Sequence, residues 1–385
     1  MRRAVLAAAG DCPGLRPLTF SQPRALISIA GRPLIDYWLD LLADGGVAET
    51  VIRAGRFAQS LSGFIADGRR WDVRAGFSFE GREERGEWRS QPLGLAAGLS
   101  QIQAHSRFCD EPFLLTQCDS WCDLDLRALA ESHRASGAAA TVVVASKGNS
   151  AHGCVQSDAG GAVSAWTAAP GAACLPLTGL FALEPAVLES LCAEPGPATT
   201  GELIERLLER GARVQAFEAA SWLPLESLDD YWRMTLAALQ GRLNGFEPPG
   251  PETAPGVFAG VHASIGAKAR LEGPIWVGPG AVIEDGASVD GPCWIGANAR
   301  IESGARVSRS IVEEQSRLAP GARLADQLVL GNRAVDRAGR IRFLEPHEIG
   351  WSLEDVAPPV DQSAVQAGLL KLATRVARRG VPLFR

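Results

Sequence analysis

Short apolar runs alternate with longer amphipathic segments over roughly the first 240 residues of the chain. The apolar runs have the length of strands, and the amphipathic segments have the length and spacing of helices. We predict strands at residues 3–8, 50–54, 113–117 and 140–145 and helices at residues 34–43, 95–103, 126–135 and 202–210. This alternation indicates an α/β domain in which helices cover a mostly parallel sheet.

A different period follows a proline- and glycine-rich segment at residues 244–256, which we interpret as a linker. Beyond it, aliphatic or small residues return at every sixth position, with a slip of one residue before Val312. A six-residue repeat of this length predicts a parallel β-helix, in which each hexad is a short strand and a turn. The repeating positions are Ala259, Ile265, Leu271, Val277, Ile283, Val289, Ile295, Ile301, Val307, Val312, Leu318, Leu324 and Leu330.

Three aromatic residues, Phe258, Trp276 and Trp294, recur at every third hexad, which is a spacing of one predicted coil. They occupy outward positions, so we expect them to stack in a ladder on one face of the coils. An exposed aromatic ladder is typical of a docking face. Two interpretations stay open: another part of the same chain covers the ladder, or it forms a subunit interface in a homo-oligomer or hetero-oligomer.

The end of the chain is amphipathic between residues 362 and 379. Val365, Leu369, Leu372 and Val376 share one helical face, and basic residues lie elsewhere. We predict a C-terminal helix that caps the end of the coils, and binding to a membrane surface is the alternative. The predicted organisation is a domain at residues 1–243, a linker at 244–256, the β-helix at 257–334 and a tail at 335–385.

The formal net charge is −6, so the sequence has no broad basic footprint for nucleic acid. No apolar run approaches the ~20 residues of a membrane-spanning helix. Eight cysteines are present without a Cys-x-x-Cys pair, and most of them lie in apolar runs. Buried, reduced thiols are the expectation for this pattern, and they favour a cytoplasmic location.

Candidate chemistry begins directly after the first predicted strand. Ala8, Ala9 and Gly10 form a turn there, and a glycine turn lets backbone amides approach a phosphate or a base. The sequences LRPLT and GRPLI follow shortly after it. Asp119 comes after the apolar strand at residues 113–117, at the carboxyl end where open α/β sheets bind ligands. A carboxylate there suits a hard divalent cation, and a turn or helix-capping aspartate is the alternative.

An α/β domain with this opening, followed by hexapeptide repeats, resembles the sugar-1-phosphate nucleotidyltransferases, including mannose-1-phosphate guanylyltransferase-like proteins. The resemblance covers roughly residues 3–334. It implies a Rossmann-like domain with a mixed, mostly parallel sheet, followed by a left-handed parallel β-helix. It also implies transfer of a nucleotidyl group from a nucleoside triphosphate to a sugar 1-phosphate, with Mg²⁺ as cofactor and release of pyrophosphate.

The resemblance assigns roles to the residues that match the family's motifs. It implies that the glycine turn and the sequence QPLGLA, through Gln91 and Gly94, contact the nucleotide, and a surface loop that precedes a helix is the alternative for QPLGLA. It places Gly153 of HGCV at the sugar and Asp119 of TQCD at Mg²⁺. Arg24 stands where the family has a lysine and is a candidate catalytic cation, because arginine keeps the charge with a different geometry.

Other positions depart from the family pattern. The sequence CPG at residues 12–14 replaces a glycine, a threonine and an arginine, and two alanines at residues 168–169 replace an acidic residue and a lysine. Pro224 replaces the second aspartate that binds Mg²⁺ in the family. Arg16 and Glu226 are the candidates to replace the lost charges, Glu226 as a metal ligand and Arg16 as a catalytic cation.

Losing several charged residues together predicts poor turnover, because phosphoryl transfer depends on preorganised charge. We therefore expect a catalytically impaired family protein that binds a nucleotide or nucleotide sugar as a regulatory or scaffold subunit. Two alternatives stay open. One is an active nucleotidyltransferase that uses Mg²⁺ and a rebuilt set of residues, and the other is a hexapeptide acyltransferase with His262 as its candidate base.

Overall fold

The computed structural model describes residues 1–85, 87–169, 174–192, 199–345 and 348. The chain divides into two compact units, one of Met1–Pro251 with Asp336–Arg340 and the other of Glu252–Val335 with the described residues from Ile341 onward. The helix predicted at residues 362–379 lies outside the described residues. Within the described part, no helix has the length and apolarity needed to cross a membrane.

The four helices that the sequence predicted are confirmed, with small differences at their ends. Asp125, Thr199 and Ser227 cap three helices of this unit, because each side chain accepts a backbone N–H of the first turn. The helices described in the first unit are α1 (Leu34–Asp44), α2 (Ala58–Ile65), α3 (Leu95–Ser106), α4 (Leu126–Ser136), α5 (Ala186–Cys192), α6 (Thr200–Glu209) and α7 (Leu228–Leu239).

The strands of the first unit include all four that the sequence predicted, now β1, β4, β8 and β10. They are β1 (Arg3–Ala7), β2 (Ser28–Ile29), β3 (Arg32–Pro33), β4 (Glu49–Ala54), β5 (Arg74–Phe79), β6 (Gly81–Glu84), β7 (Glu87–Ser90), β8 (Phe113–Thr116), β9 (Ser120–Asp123), β10 (Ala140–Val144), β11 (Cys154–Ser157), β12 (Val163–Thr167), β13 (Leu175–Leu183), β14 (Val214–Glu218) and β15 (Ser221–Pro224).

Nine of these strands form one mixed sheet in the order β12-β11-β13-β8-β1-β4-β5, and β10 joins β13 to β14. The neighbours β8, β1, β4 and β5 are parallel, whereas β13 runs antiparallel to β8 and β10. Side chains of α3, α5 and α6 join those of the sheet in one buried core, which includes Leu99, Val187 and Leu203. The α/β class and the mixed, mostly parallel sheet are therefore confirmed.

The register of the central strands positions the candidate site. Leu6 of β1 lies opposite Thr116 of β8, so the two parallel strands end side by side. Both strands are largely buried, as expected for parallel strands covered on both faces. The glycine turn after β1 and the TQCD segment after β8 therefore leave the sheet at the same edge.

Short strands of the second unit stack in three parallel sheets, which confirms the predicted parallel β-helix. The parallel strands are Val257–Ala259, Ile275–Val277, Cys293–Ile295, Ile311–Val312 and Leu328–Leu330 in the first sheet, Ser264–Ile265, Val282–Ile283, Arg300–Ile301 and Arg317–Leu318 in the second, and Arg270–Glu272, Ser288–Asp290, Arg306–Ser308 and Arg323–Ala325 in the third. Glu252–Ala254, Arg333–Val335 and Ile341–Phe343 extend the first sheet by antiparallel pairing. The left-handed winding stays a prediction from the resemblance.

The coil register follows the predicted period, including its slip. Val277 lies opposite Ile295, which is three full hexads further along the chain. Val307 lies opposite Leu324, so the coil between them is shorter by a single residue. The repeating positions up to Leu324 line one continuous interior cluster, but the prediction of Leu330 is wrong by one residue: Val329 belongs to the cluster and lies opposite Val312, because the coil between them is also shorter by one residue. Ile265 and Leu271 are only half-buried, because they lie in the first coil, which has a neighbouring coil on one side only.

The aromatic ladder forms as predicted, but two of its members are not exposed. Phe258 lies opposite Trp276, and Trp276 lies opposite Trp294 in the adjacent coil. Trp276 is 2% exposed and Trp294 is 1% exposed, although neither belongs to the interior cluster of the coils. Because both indoles are buried within a single chain, the interpretation in which the chain covers its own ladder is favoured. An oligomer interface on this face stays a prediction.

The expectation of reduced thiols is wrong for two cysteines, because Cys154 and Cys174 form a disulfide. Cys154 begins β11 and lies opposite Pro176 of β13, which brings Cys174 within reach, with 5.5 Å between the two Cα atoms. This pairing depends on strand register, which the spacing of cysteines does not show. The thiol argument for a cytoplasmic location does not apply to these two residues, and the location stays a prediction.

We expect Cys154→Ser with Cys174→Ser to lower the free energy of unfolding by about 2 kcal/mol, because the disulfide limits the entropy of the unfolded chain. Urea unfolding of the oxidised wild type and of the variant measures this difference. Peptide mapping without reductant should recover the linked peptides. A wild type that shows no linkage, or that unfolds identically with and without reductant, would contradict the pairing.

Candidate active site

A cavity of about 130 Å³ opens at the sheet edge where β1 ends. Ala9 and Gly10 of the predicted glycine turn line it, together with Arg24 and Gln117. Ala8, which precedes them, is buried. No atom lies within 4 Å of the position that a Cβ atom would take at Gly10. The turn therefore borders a space that a phosphate group can enter.

Asp119 is the centre of a buried charged cluster just beyond β8. Its side chain is 4% exposed. Its Oδ2 accepts hydrogen bonds from Nε2 of His152 at 2.7 Å and from Nη2 of Arg24 at 3.3 Å. Arg24 begins the 3₁₀ turn Arg24–Leu26, and His152 lies in the loop before β11. Three residues that are far apart in the sequence therefore form one internal ion cluster.

The charges of this cluster shift the pKa values of its members. Burial by itself raises the pKa of Asp119, but the positive charges of His152 and Arg24 hold that pKa below its usual range. Burial lowers the pKa of His152, but the charge and hydrogen bond of Asp119 outweigh it, so the pKa lies above the ordinary value. Asp119 and His152 thus stabilise each other's charged forms.

A second buried ion pair supports the loop that holds Gln91 and Gly94. Nε of Arg53 donates to Oε1 of Glu80 at 2.6 Å. Glu80 also accepts the backbone N–H of Leu93 at 2.8 Å, and Arg53 donates to the carbonyl oxygens of Leu93 and Gly94. This pair fixes the loop at the N-terminus of α3, while the Gln91 side chain is exposed.

Gly153 lies between His152 and β11 with a φ of 76°, a conformation that favours glycine. A Cβ atom at this position would lie 2.4 Å from the carbonyl oxygen of Thr167 and 2.7 Å from Nε1 of Trp166. The Trp166 indole N–H donates to the carbonyl oxygen of His152 at 3.0 Å. The glycine that the resemblance placed at the sugar therefore also shapes the backbone that carries His152.

With this geometry established, comparison with known proteins identifies the family. Residues 3–241 match the family model described as nucleotidyl transferase, which is more than half of the chain. The chain belongs to the nucleotidyl transferase family. Its relatives confirm the resemblance to the sugar-1-phosphate nucleotidyltransferases.

Two relatives and one solved structure show the extent of this similarity. The UTP–glucose-1-phosphate uridylyltransferase of Synechocystis is 31% identical over 362 residues, which cover 92% of this chain and 93% of that protein. The mannose-1-phosphate guanylyltransferase catalytic subunit beta of Drosophila pseudoobscura is 25% identical and covers 70% of this chain and 72% of its own. A Bacillus anthracis crystal structure assigned to glucose-1-phosphate thymidylyltransferase shares the fold, with a TM-score of 0.54, 16% identity, and coverage of 64% of this chain and 98% of that one.

Residues 12–14 differ from the nucleotidyl transferase motif, and their packing shows why. A Cβ atom at Gly14 would lie 2.2 Å from the carbonyl oxygen of Glu226. Sγ of Cys12 donates to the same carbonyl oxygen at 3.4 Å, and the hydroxyl of Thr19 donates to the carbonyl of Cys12 at 2.9 Å. The position where the family has an arginine is therefore packed against backbone and leaves no room for a side chain.

Arg16 lies outside the Asp119 cluster. Its guanidinium pairs with Asp11 at 2.9 Å, and its side chain is 44% exposed. Ala168 and Ala169, which stand where the family has an acidic residue and a lysine, are exposed as well. The structure therefore brings Arg24 to the cluster but leaves Arg16 on the surface.

Pro224 occupies the position of the family's second metal-binding aspartate, and it lies beside Asp119. β15 pairs with β9 in a register that puts Pro224 opposite Ser120. Glu226, two residues on, is half-buried, and its Oε1 accepts the backbone N–H of Ala151 at 3.0 Å. Burial raises the pKa of Glu226, and the negative charge of Asp119 adds to this shift.

These residues do not fit the Mg²⁺ site that a nucleotidyl transferase implies. Mg²⁺ demands nearly octahedral oxygen ligands and is reluctant to lose water, so its carboxylates must be accessible. Asp119 is buried and already accepts from two cationic side chains, and Glu226 accepts from the backbone. In the part of the chain that the structure describes, no group of three His, Cys, Asp or Glu residues could hold a metal ion.

Sequence reasoning missed three features of this nucleotidyl transferase site. His152 had a usable signal, because it is one of only five histidines and directly precedes the matched Gly153. Gln117 could also have been selected from the sequence, since it lies within the matched TQCD segment. The Arg53–Glu80 pair had no signal, because the residues meet only once β4 and β5 lie side by side.

Proposed function

We propose that this nucleotidyl transferase family member binds a nucleotide or nucleotide sugar as a regulatory or scaffold subunit and has little nucleotidyl transfer activity. The pairing of Asp119 with Arg24 and His152 carries this proposal. The carboxylate that the resemblance places at Mg²⁺ is instead neutralised by two side chains of the protein. The cavity beside it still offers the glycine turn and Arg24 to an anionic ligand.

The expected loss of rate follows from the charges that are missing. Removing one preorganised donor lowers kcat by about 10²–10³-fold in enzymes that stabilise developing charge. Here the arginine position is occupied by Gly14, the lysine position by Ala169 and the second aspartate position by Pro224. Such losses are not additive, but even a partial combination leaves little efficient turnover.

An active NDP-sugar pyrophosphorylase is the second candidate. Similarity to the Synechocystis uridylyltransferase over 92% of this chain favours an active enzyme. The proximity of Arg24, Asp119 and Glu226 to one another also favours it. For the acyltransferase alternative, His262 is exposed at a turn of the first coil, and no further feature of the described residues supports it.

Pyrophosphate release in the presence of Mg²⁺, each nucleoside triphosphate and common sugar 1-phosphates tests the proposal. We expect kcat below about 10⁻² s⁻¹, against the ~1–10³ s⁻¹ of typical enzymes. The same protein should be stabilised by a nucleotide or nucleotide sugar, by about 2.7 kcal/mol when the ligand is present at a hundred times its Kd. Turnover in the typical range that disappears in Asp119→Ala would contradict the proposal and support the active candidate.

A matched pair of variants locates the ligand. Gly10→Trp should abolish ligand-induced stabilisation, because Gly10 lines the cavity and has no atom within 4 Å of its Cβ position. Gly63→Trp is the control, since Gly63 is equally uncrowded but lies exposed on α2. Stabilisation that persists in Gly10→Trp would place the ligand elsewhere.

A further inference from the structure

Two cationic side chains of the protein occupy one oxygen of the Asp119 carboxylate. Its Oδ2 accepts from both His152 and Arg24. On its other side, a Cβ atom at Gly179 would lie 3.2 Å from Oδ1, so this oxygen lies close to the backbone of β13. The whole residue is 3% exposed. A hydrated cation that used Oδ2 would have to displace at least one of the two cationic side chains, and Oδ1 lies close to the backbone of β13.

The neighbouring positions do not supply a replacement ligand. Pro224 has no side-chain oxygen, and Oε1 of Glu226 already accepts a backbone N–H. Positive charge at this edge of the sheet is therefore contributed by side chains of the protein.

Arg24 is positioned to bind an anionic ligand. Its hydrogen bond to Asp119 uses one of the five N–H donors of a guanidinium, and Arg24 also lines the cavity beside the glycine turn. Guanidinium groups match the oxygens of phosphate in geometry as well as in charge. The buried carboxylate thus holds Arg24 in position, and His152 donates a hydrogen bond to the same carboxylate oxygen.

We propose that the site binds the diphosphate of a nucleotide sugar without a divalent cation, with Arg24 as the phosphate-binding residue and Asp119 as the residue that positions it. This inference rests on the proposed function, because it concerns the same ligand at the same site. It adds that Arg24 and His152 take the place of the metal that the family uses.

Isothermal titration with UDP-glucose, dTDP-glucose and GDP-mannose, each in Mg²⁺ and in EDTA, tests the proposal. For the nucleotide sugar that binds, we expect the two Kd values to agree within about threefold. Weakening by more than about tenfold in EDTA would overturn the inference while leaving nucleotide binding intact. If none of the three binds in either buffer, both this inference and the proposed function fail.

Three variants separate positioning from metal ligation. Arg24→Gln should weaken binding by at least about tenfold in both buffers, and Arg24→Lys should recover part of that loss. Asp119→Asn keeps the size of the side chain but removes its charge, so we expect weaker binding by the same factor in Mg²⁺ and in EDTA. A loss in Asp119→Asn confined to the Mg²⁺ buffer would identify Asp119 as a metal ligand and overturn the inference.

Metal binding itself is measured with Mn²⁺ alone. We expect the electron paramagnetic resonance signal of free Mn²⁺ to be undiminished by the wild-type protein. Binding by the wild type that disappears in Asp119→Asn would overturn the proposal independently of any nucleotide sugar. Circular dichroism and thermal unfolding of each variant establish that the chain is folded before the titrations are compared.

Discussion

A Gly14→Arg variant is expected to lose more than about 2 kcal/mol of stability and to gain no nucleotidyl transfer. The substitution restores the arginine that the family has at this position. Its Cβ atom would lie 2.2 Å from the carbonyl oxygen of Glu226, and real Cβ atoms do not approach backbone so closely. The loop must therefore move away from the segment that follows β15, which breaks the contact between Cys12 and Glu226.

Urea unfolding and pyrophosphate release measure the two parts of this prediction. Gly14→Ala separates the steric effect from the charge, and it should also be strongly destabilised. Gly10→Ala is the matched control in the same turn region, because its Cβ atom would meet nothing within 4 Å. Wild-type stability in Gly14→Arg together with a gain of turnover would show that the missing arginine alone limits catalysis.

The sequence was sufficient for four strands and four helices of the first unit and for the coils of the second, because their signals are local. A repeat of hexads requires no knowledge of distant contacts, and the slip of one residue before Val312 was visible in the sequence, whereas the second slip, before Val329, was missed. The alternation of apolar strands and amphipathic helices predicted β1, β4, β8 and β10 in the same way. The Cys154–Cys174 disulfide escaped prediction because it depends on the pairing of β11 with β13.

The site was predictable only in part, because its chemistry arises between distant residues. Asp119 could be selected from its place after a buried strand. Its partners lie 95 residues before it and 33 residues after it, and no spacing rule connects them. The family motifs identified Pro224 and Gly14 as departures from the family pattern. They could not show that Pro224 lies beside Asp119, or that backbone occupies the space that a side chain at residue 14 would need.

Trp294→Ala is expected to lower the free energy of unfolding by about 3–5 kcal/mol, because truncation of a buried tryptophan leaves a large cavity. Trp294 is 1% exposed and lies between Trp276 and Ile311 in the stacked strands. Urea unfolding measures the loss of stability, and light scattering after size exclusion measures the molecular mass. We expect the mass to be unchanged, since the ring is buried within one chain.

Two control substitutions distinguish burial within one chain from a subunit interface as the cause of the loss of stability. Phe258→Ala should cost less than Trp294→Ala, because Phe258 is half-buried at the end of the ladder. Trp276→Phe should cost no more than about 1 kcal/mol, because it keeps an aromatic ring and removes a buried indole N–H that lacks a hydrogen-bond partner in the described structure. A subunit interface predicts the reverse: Trp294→Ala would change the mass and leave the unfolding of the single chain nearly unaffected.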